Sequence, residues 1–258
     1  MIVGMVQYHI EWENPEANFC KIRCLLEQFP PPNEALVLLP EMFATGFSMD
    51  KRVPQAYPKC AEFLKTTAKE LKIFLGGGIA KAMENTLRNT YVVVSPVGEV
   101  LCEYHKAHPF SISEEGRFYT GGEEVVTAEV KEVTVAPTVC YDLRFPELYR
   151  RAMQKGAEIM VVAANWPAKR DSHWHALLRA RAIENQAYIV GVNRTGEDPN
   201  FSYCGSSMVV SPSGKVLFYA RETEGIFYCH LDVERLRTYR RKFPVLRDVK
   251  PWLIGGNP

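Results

Sequence analysis

The chain has 258 residues, of which 47% are hydrophobic and 24% charged, with a formal net charge of +1. That is enough apolar material for one large core or two modest ones, and a single domain over residues 1–258 is expected. Charges of both signs are interspersed with no basic stripe, which argues against nucleic acid or an anionic membrane as partner. In chain order, Ile2 to Tyr8 reads as a short apolar strand. Met1 to Gln7 is too short for a signal h-region and lacks a basic flank, and no apolar run reaches the roughly 18 residues of a membrane span. A soluble, cytoplasmic protein is therefore expected. Asn14 to Gln28 reads as a helix, with Asn14 as N-cap, Pro15 in the first turn and Phe29-Pro30-Pro31-Pro32 closing it. Seven cysteines, an odd number scattered along the chain, fit reduced thiols better than a disulfide framework. Cys20 and Cys24 lie a helical turn apart with no zinc-spaced partners, so packing on the helix face is expected.

Ala35 to Pro40 is a continuous apolar strand of the kind found mid-sheet, covered on both faces. Ala56 to Leu71 has helical spacing, and Ile73 to Ala80 is a strand whose Gly76-Gly77-Gly78 implies close backbone approach. Asn89 to Ser95 and Val100 to His105, joined by Pro96-Val97-Gly98-Glu99, form a hairpin. Val133 to Val139 is β-branched and apolar, a strand with an irregularity marked by Pro137. A helix begins at Pro146, where the missing N–H costs nothing, and stops at Gly156. Glu158 to Ala164 is a strand, Ser172 to Asn185 a helix, and Ala187 to Asn193 a strand. Ser206 to Val210, Lys215 to Ala220 and Gly225 to Leu231 are strands, and Val233 to Lys242 is a closing helix. Such βα alternation mixed with hairpins excludes an all-parallel sheet and suggests an α/β fold of two mixed sheets with helices outside. The tail from Arg247 to Pro258 has no periodicity, though Trp252-Leu253-Ile254 is apolar enough to dock or to form a subunit contact.

Three polar residues stand where strands end. Cys140 follows Val139 at the edge of a buried strand, before a turn whose N–H groups are uncommitted, a position that suits a nucleophile beside an oxyanion site. Glu41 follows Leu39-Pro40, where desolvation would raise its pKa and fit it for proton transfer. Lys106 follows Tyr104-His105 in the same way. Singly, each has an ordinary alternative: core filler for the cysteine, a loop cap for the glutamate, a solvated charge for the lysine. Together they make chemistry. A thiolate attacking a carboxamide generates an oxyanion and must expel ammonia, which leaves only when protonated. A carboxylate can take the thiol proton, return it to the leaving nitrogen and then activate water, while an ammonium and the N–H of Tyr141 hold the oxyanion.

Leu39-Pro40-Glu41-Met42-Phe43, Tyr104-His105-Lys106-Ala107-His108-Pro109-Phe110 and Val139-Cys140-Tyr141-Asp142-Leu143-Arg144-Phe145-Pro146-Glu147 resemble, in that order, the Glu, Lys and Cys motifs of the nitrilase (carbon-nitrogen hydrolase) superfamily. Ala164-Asn165-Trp166-Pro167 and the segment from His175 to Tyr188 also resemble it, most closely its omega-amidase branch. The resemblance implies an α-β-β-α four-layer sandwich, a homodimer, and a triad at Glu41, Lys106 and Cys140. It also implies a second glutamate that orients the lysine. Counting back from Thr120-Gly121-Gly122-Glu123, Glu115 falls on that position, with Glu114 as its competitor.

The omega-amidase branch hydrolyses the terminal amide of 2-oxoglutaramate and 2-oxosuccinamate, and this chemistry needs no cofactor or metal beyond water as second substrate. The substrate carries a carboxylate, for which Arg144 and Arg181 are the candidate anchors. Phe43, Phe47, Tyr141, Asn165 and Trp166 flank the strand ends and are candidate pocket linings. Another small amide, a carbamoyl compound or a nitrile remains the alternative substrate. The chain stops soon after its last helix, without the extension of nitrilases that form spirals, which favours an amide and a small closed oligomer. His105-x-x-His108 and His173-x-His175 invite a metal-hydrolase reading but lack an acidic third ligand. A catalytically silent binding protein is the other rival, and the intact triad argues against it.

Overall fold

The computed structural model describes residues 1–84 and 86–250. Its strands and helices are β1 (Ile2–Gln7), α1 (Pro15–Gln28), β2 (Leu36–Leu38), α2 (Tyr57–Leu71), β3 (Phe74–Ala82), β4 (Leu87–Val94) and β5 (Val100–His105), then α3 (Glu115–Phe118), β6 (Ala128–Val130) and β7 (Val133–Val139). They continue with α4 (Pro146–Gln154), β8 (Ile159–Ala164), α5 (Asp171–Asn185), β9 (Tyr188–Asn193), β10 (Thr195–Glu197), β11 (Ser202–Cys204), β12 (Ser207–Val210), β13 (Val216–Ala220), β14 (Gly225–His230) and α6 (Val233–Lys242). Helix α1 starts where the sequence places it. The Asn14 side chain accepts from the Ala17 N–H at 3.1 Å, with Pro15 in the first turn.

One sheet has the order β14-β1-β2-β3-β4-β5 and the other β13-β12-β9-β8-β7-β6, with β10 and β11 as a separate hairpin. Each six-stranded sheet is built on the same plan. Strands β1, β2 and β3 are parallel, as are β7, β8 and β9, and antiparallel strands extend both edges of each group. Parallel neighbours need long crossovers, and α1, α2, α4 and α5 supply them.

Alternation along the strands sets the layers. Leu36 and Leu38 join a core with Tyr91, Val93, Val135 and Val139, whereas Val37 and Leu39 join a second core with Ile22, Leu64, Val92 and Val94. Successive side chains point to opposite faces. The first set lies between the two sheets and the second beneath α1 and α2, while Trp174 and Leu178 of α5 and Tyr149 of α4 cover the other sheet. The mixed sheets therefore form the α-β-β-α sandwich.

Three expected elements, Val100–His105, Val133–Val139 and Val233–Lys242, appear with unchanged bounds. The irregularity expected at Pro137 does not. Pairing of β7 with β8 runs in register from Val135 to Val139, and β6 pairs only with Val133 to Val135, so Pro137 lies past its end. Strands β6, β10 and β11 and helix α3 have three or four residues each and too little periodicity to read from sequence. Cys20 and Cys24 are exposed on α1. Trp252-Leu253-Ile254 falls outside the described residues.

Candidate active site

The ends of four strands converge. Strands β2, β5, β7 and β8 all point their C-terminal ends toward one edge of the sandwich, where Glu41, Lys106, Cys140 and Asn165 follow them. Glycine lets one of these loops in. The backbone at Gly78 in β3 approaches the Glu41 loop so closely that a Cβ there would lie 2.7 Å from the Glu41 Cα. The loop then reverses at Met42 and the loop after β7 turns at Cys140, both with left-handed backbone (φ 45° and 47°). Such a conformation costs a β-carbon residue about 1–3 kcal/mol and persists only where its surroundings enforce it.

At the centre is a buried ion cluster. Lys106 is 2% exposed, and Glu41 and Glu115 are 0% exposed. The Lys106 ammonium donates to Glu41 Oε1 at 2.9 Å and to Glu115 Oε2 at 2.9 Å. Asn89 Nδ2 bridges the two carboxylates, at 2.8 Å to Glu41 and 2.9 Å to Glu115. Asn165 completes the Glu41 site. Its backbone N–H donates to Glu41 Oε2 at 2.9 Å and its Nδ2 to the Glu41 carbonyl at 2.7 Å. The Phe110 N–H meets Glu115 Oε2 at 2.5 Å. Neighbouring Glu114 instead pairs with Arg117 at the surface, so Glu115 is the second glutamate beside the lysine.

Burial pushes the Glu41 carboxyl up, but the Lys106 charge and the bonds from Lys106, Asn165 and Asn89 outweigh it and hold Glu41 below the usual carboxylate range. Desolvation alone, read from the sequence, gives the opposite sign. For Glu115 burial prevails, with the Glu41 charge adding to it against Lys106, and its pKa rises. Lys106 loses to burial but gains more from Glu115 and Glu41, so it stays charged. Burial also pushes the Cys140 thiol well up, and Glu41 adds to the rise while Lys106 opposes it. The thiol lies 3.8 Å from the Asn165 carbonyl.

Asp142 ties the Cys140 loop to the Lys106 loop. It is fully buried and accepts from Tyr104 Oη (2.7 Å), the Val139 N–H (3.0 Å), and both the N–H (3.0 Å) and Nδ1 (2.8 Å) of His108. Cys140 and Tyr141 open a short 3-10 helix, Cys140–Arg144, and their N–H groups precede its first internal bond. The other histidines have local partners: His105 with Thr90, His173 with Arg144, and His175 with Asp171. Among the described residues no group of three His, Cys, Asp or Glu could hold a metal.

A pocket opens over Cys140. Phe47, Tyr141, Arg144, Asn165 and Trp166 line it, as the sequence suggests, joined by Phe110, Pro167, Arg170 and Phe201. Phe47 also faces the Lys106 ammonium, 5.2 Å from the ring centre. Two expected pocket residues are elsewhere. Phe43 is fully buried against Phe19 and Phe63, because the left-handed turn at Met42 sends its ring back under α1 and α2 and its carbonyl accepts from Tyr8 Oη. Arg181 points away from the pocket, donating to the Leu143 carbonyl at 2.8 Å and pairing with Glu184 at 3.1 Å, so it braces the turn after Cys140. Of the residues missed, Asn89 left one signal, a polar residue opening an apolar strand. Phe201 left none, since it reaches the pocket from the turn joining β10 and β11.

A carboxylate, an ammonium and a thiol gathered at one sheet edge beside an apolar pocket are the equipment of a thiol-dependent hydrolase of carbon–nitrogen bonds. Residues 2–241 match the carbon-nitrogen hydrolase family model, and the chain belongs to that family. It is 31% identical to a 2-oxoglutaramate amidase of Bacillus subtilis over 96% of this chain and 97% of that one. It is also 34% identical to the omega-amidase YafV of Escherichia coli K12, covering 95% of each. Among solved structures, XC1258 of Xanthomonas campestris, a CN-hydrolase superfamily protein with an arsenic adduct in its active site, superposes with a TM-score of 0.91 at 30% identity, covering 97% of each chain. Saccharomyces cerevisiae Nit3, of the nitrilase superfamily, gives 0.85 at 28% identity, covering 95% of this chain and 94% of that one.

Proposed function

We propose that this protein is an amidase that hydrolyses the terminal carboxamide of a short 2-oxo acid amide, such as 2-oxoglutaramate or 2-oxosuccinamate, to the dicarboxylate and ammonia. The observation that carries the reading is the buried Glu41–Lys106–Glu115 cluster set beside a thiol that faces the pocket. In this mechanism the Cys140 sulfur attacks the carboxamide carbon while its proton passes to Glu41. The Lys106 ammonium and the Tyr141 N–H hold the resulting oxyanion. As the C–N bond breaks, Glu41 gives that proton to the nitrogen, ammonia leaves and a thioester remains. Water, deprotonated by Glu41, then attacks the thioester carbon; as the C–S bond breaks Glu41 returns that proton to the sulfur, restoring the thiol, and the carboxylic acid product ionises to the carboxylate. Glu115 orients Lys106 and offsets its charge.

The names of the relatives support the 2-oxo acid choice, and the Arg144 guanidinium, which among the described residues pairs with no carboxylate, gives the substrate carboxylate a partner. We further read the chain as a cytoplasmic homodimer. No helix among the described residues is long and apolar enough to cross a membrane, and Ile183, Val216, Leu217 and Tyr219 expose apolar side chains for a partner to cover.

The test is ammonia release from 2-oxoglutaramate, glutamine, a neutral aliphatic amide, a carbamoyl amine and a nitrile, with Cys140→Ala as control. Preferred turnover of 2-oxoglutaramate that disappears in the control supports the reading. Preference for another of these compounds keeps the chemistry and overturns the substrate.

A further inference from the structure

Two guanidiniums face the pocket, and among the described residues neither is paired with a carboxylate side chain. The Arg144 guanidinium lies 4.9 Å from the centre of the Trp166 ring, with Nη2 3.2 Å from His173 Nδ1. Arg170 lies 5.4 Å from the centre of the Phe110 ring. Both line the pocket together with Cys140. Among the described residues neither has a carboxylate within ion-pair distance, whereas Arg52, Arg117, Arg181 and Arg237 each do. The two charges are close enough that Arg170 depresses the ionisation of Arg144, after the larger effect of burial.

Arg170 is held in place by its backbone rather than by its charge. It ends the short 3-10 helix Ala168–Arg170 after β8, its N–H donates to the Pro167 carbonyl at 3.0 Å, and its own carbonyl accepts the Trp166 indole N–H at 2.8 Å. The guanidinium therefore projects from a fixed base over an aromatic wall and is left free for a ligand. Like charges facing one half-buried space repel, and an anion bound between them relieves that repulsion.

We propose that Arg170 is the specificity-determining residue of this site: together with Arg144 it takes the substrate's carboxylate between two guanidiniums and rejects substrates bearing an α-ammonium. This inference rests on the amidase reading above and deepens it. A 2-oxo acid amide presents a carboxylate with no neighbouring cation. Glutamine presents the same carboxylate with an ammonium beside it, and the pair of arginines repels that group.

The experiment separates binding from turnover. Alkylation of Cys140 by iodoacetamide, a neutral reagent, is followed with and without 2-oxoglutarate in the wild type, Arg170→Gln and Arg170→Lys, beside steady-state kinetics on 2-oxoglutaramate, glutamine and a neutral amide. The uninhibited alkylation rate reports an intact pocket in each variant. Loss of a charge-assisted pair predicts that Arg170→Gln needs about 10- to 100-fold more 2-oxoglutarate for equal protection. Its KM for 2-oxoglutaramate rises by the same factor with kcat little changed, Arg170→Lys recovers part of the loss, and the preference for 2-oxoglutaramate over glutamine narrows. Equal protection and equal KM in Arg170→Gln would overturn the assignment, as would equal losses on the neutral amide. Wild-type enzyme that prefers a neutral amide and gains no protection from 2-oxoglutarate would instead overturn the amidase reading on which the inference rests.

Discussion

Glu41, Lys106 and Cys140 can be picked out in the sequence because each stands just past the end of a strand inside one of three ordered motifs, although the strand before Lys106 itself carries Glu103 and His105. Their electrostatics are not legible, because sign depends on partners far along the chain. Glu41 is held ionised by Lys106, Asn165 and Asn89, and none of these can be placed beside it by spacing. Burial and the Glu41 charge push the Cys140 thiol well above its usual 9.0, so it is protonated at neutral pH and, as the proposed nucleophile, has to give its proton away in the attack. Thiolate absorbance near 240 nm, taken as wild type minus Cys140→Ala, should therefore stay flat up to pH 9 and rise only above it. A rise below pH 8 would mean a preformed thiolate. Because Glu41 is the proposed base, Glu41→Gln should lower kcat/KM for 2-oxoglutaramate by about 10²- to 10⁴-fold while leaving the fold intact by circular dichroism. A loss under tenfold would place the base elsewhere. Phe43 shows why a neighbouring residue can mislead: it is next but one to Glu41 in sequence, yet a single left-handed residue between them turns it into the core.

Elements are more legible in the sequence than the loops between them. The hydrophobic period marks β7 and α6 to the residue, and the run of glycines in β3 marks a close approach before its partner is known. The partner proves to be the Glu41 loop. Gly78→Ala would set a methyl group 2.7 Å from the Glu41 Cα and 2.8 Å from the Met42 nitrogen, both backbone atoms that cannot rotate aside. It should cost about 1–3 kcal/mol in chemical denaturation and reduce kcat more than KM, because the base moves while the pocket stays. Unchanged activity would show that the loop is not held by this contact. The hairpin of β10 and β11 and the 3-10 helix that carries Arg170 escape sequence reading for one reason. Each is too short to display a period, and each is fixed by contacts with distant segments, such as Lys169 over the Phe201 ring.

For the whole molecule, the layered architecture follows from alternation alone, since Leu36 and Leu38 must face opposite to Val37 and Leu39 and both faces are apolar. What alternation leaves open is which edges associate. If Ile183, Val216, Leu217 and Tyr219 form the subunit contact, the protein sediments at twice its chain mass of 29.3 kDa, and Leu217→Glu shifts it toward monomer. Sedimentation of the wild type as a monomer would remove that contact from the account.

In the proposed mechanism Cys140 is acylated by a 2-oxo acid amide with loss of ammonia, an intermediate that intact-protein mass after rapid acid quench detects. During turnover of 2-oxoglutaramate the protein should gain the mass of one 2-oxoglutaryl group, located on the peptide containing Cys140 and absent in Cys140→Ala. Ammonia release that continues in Cys140→Ala, or an acyl group found on another residue, would contradict it.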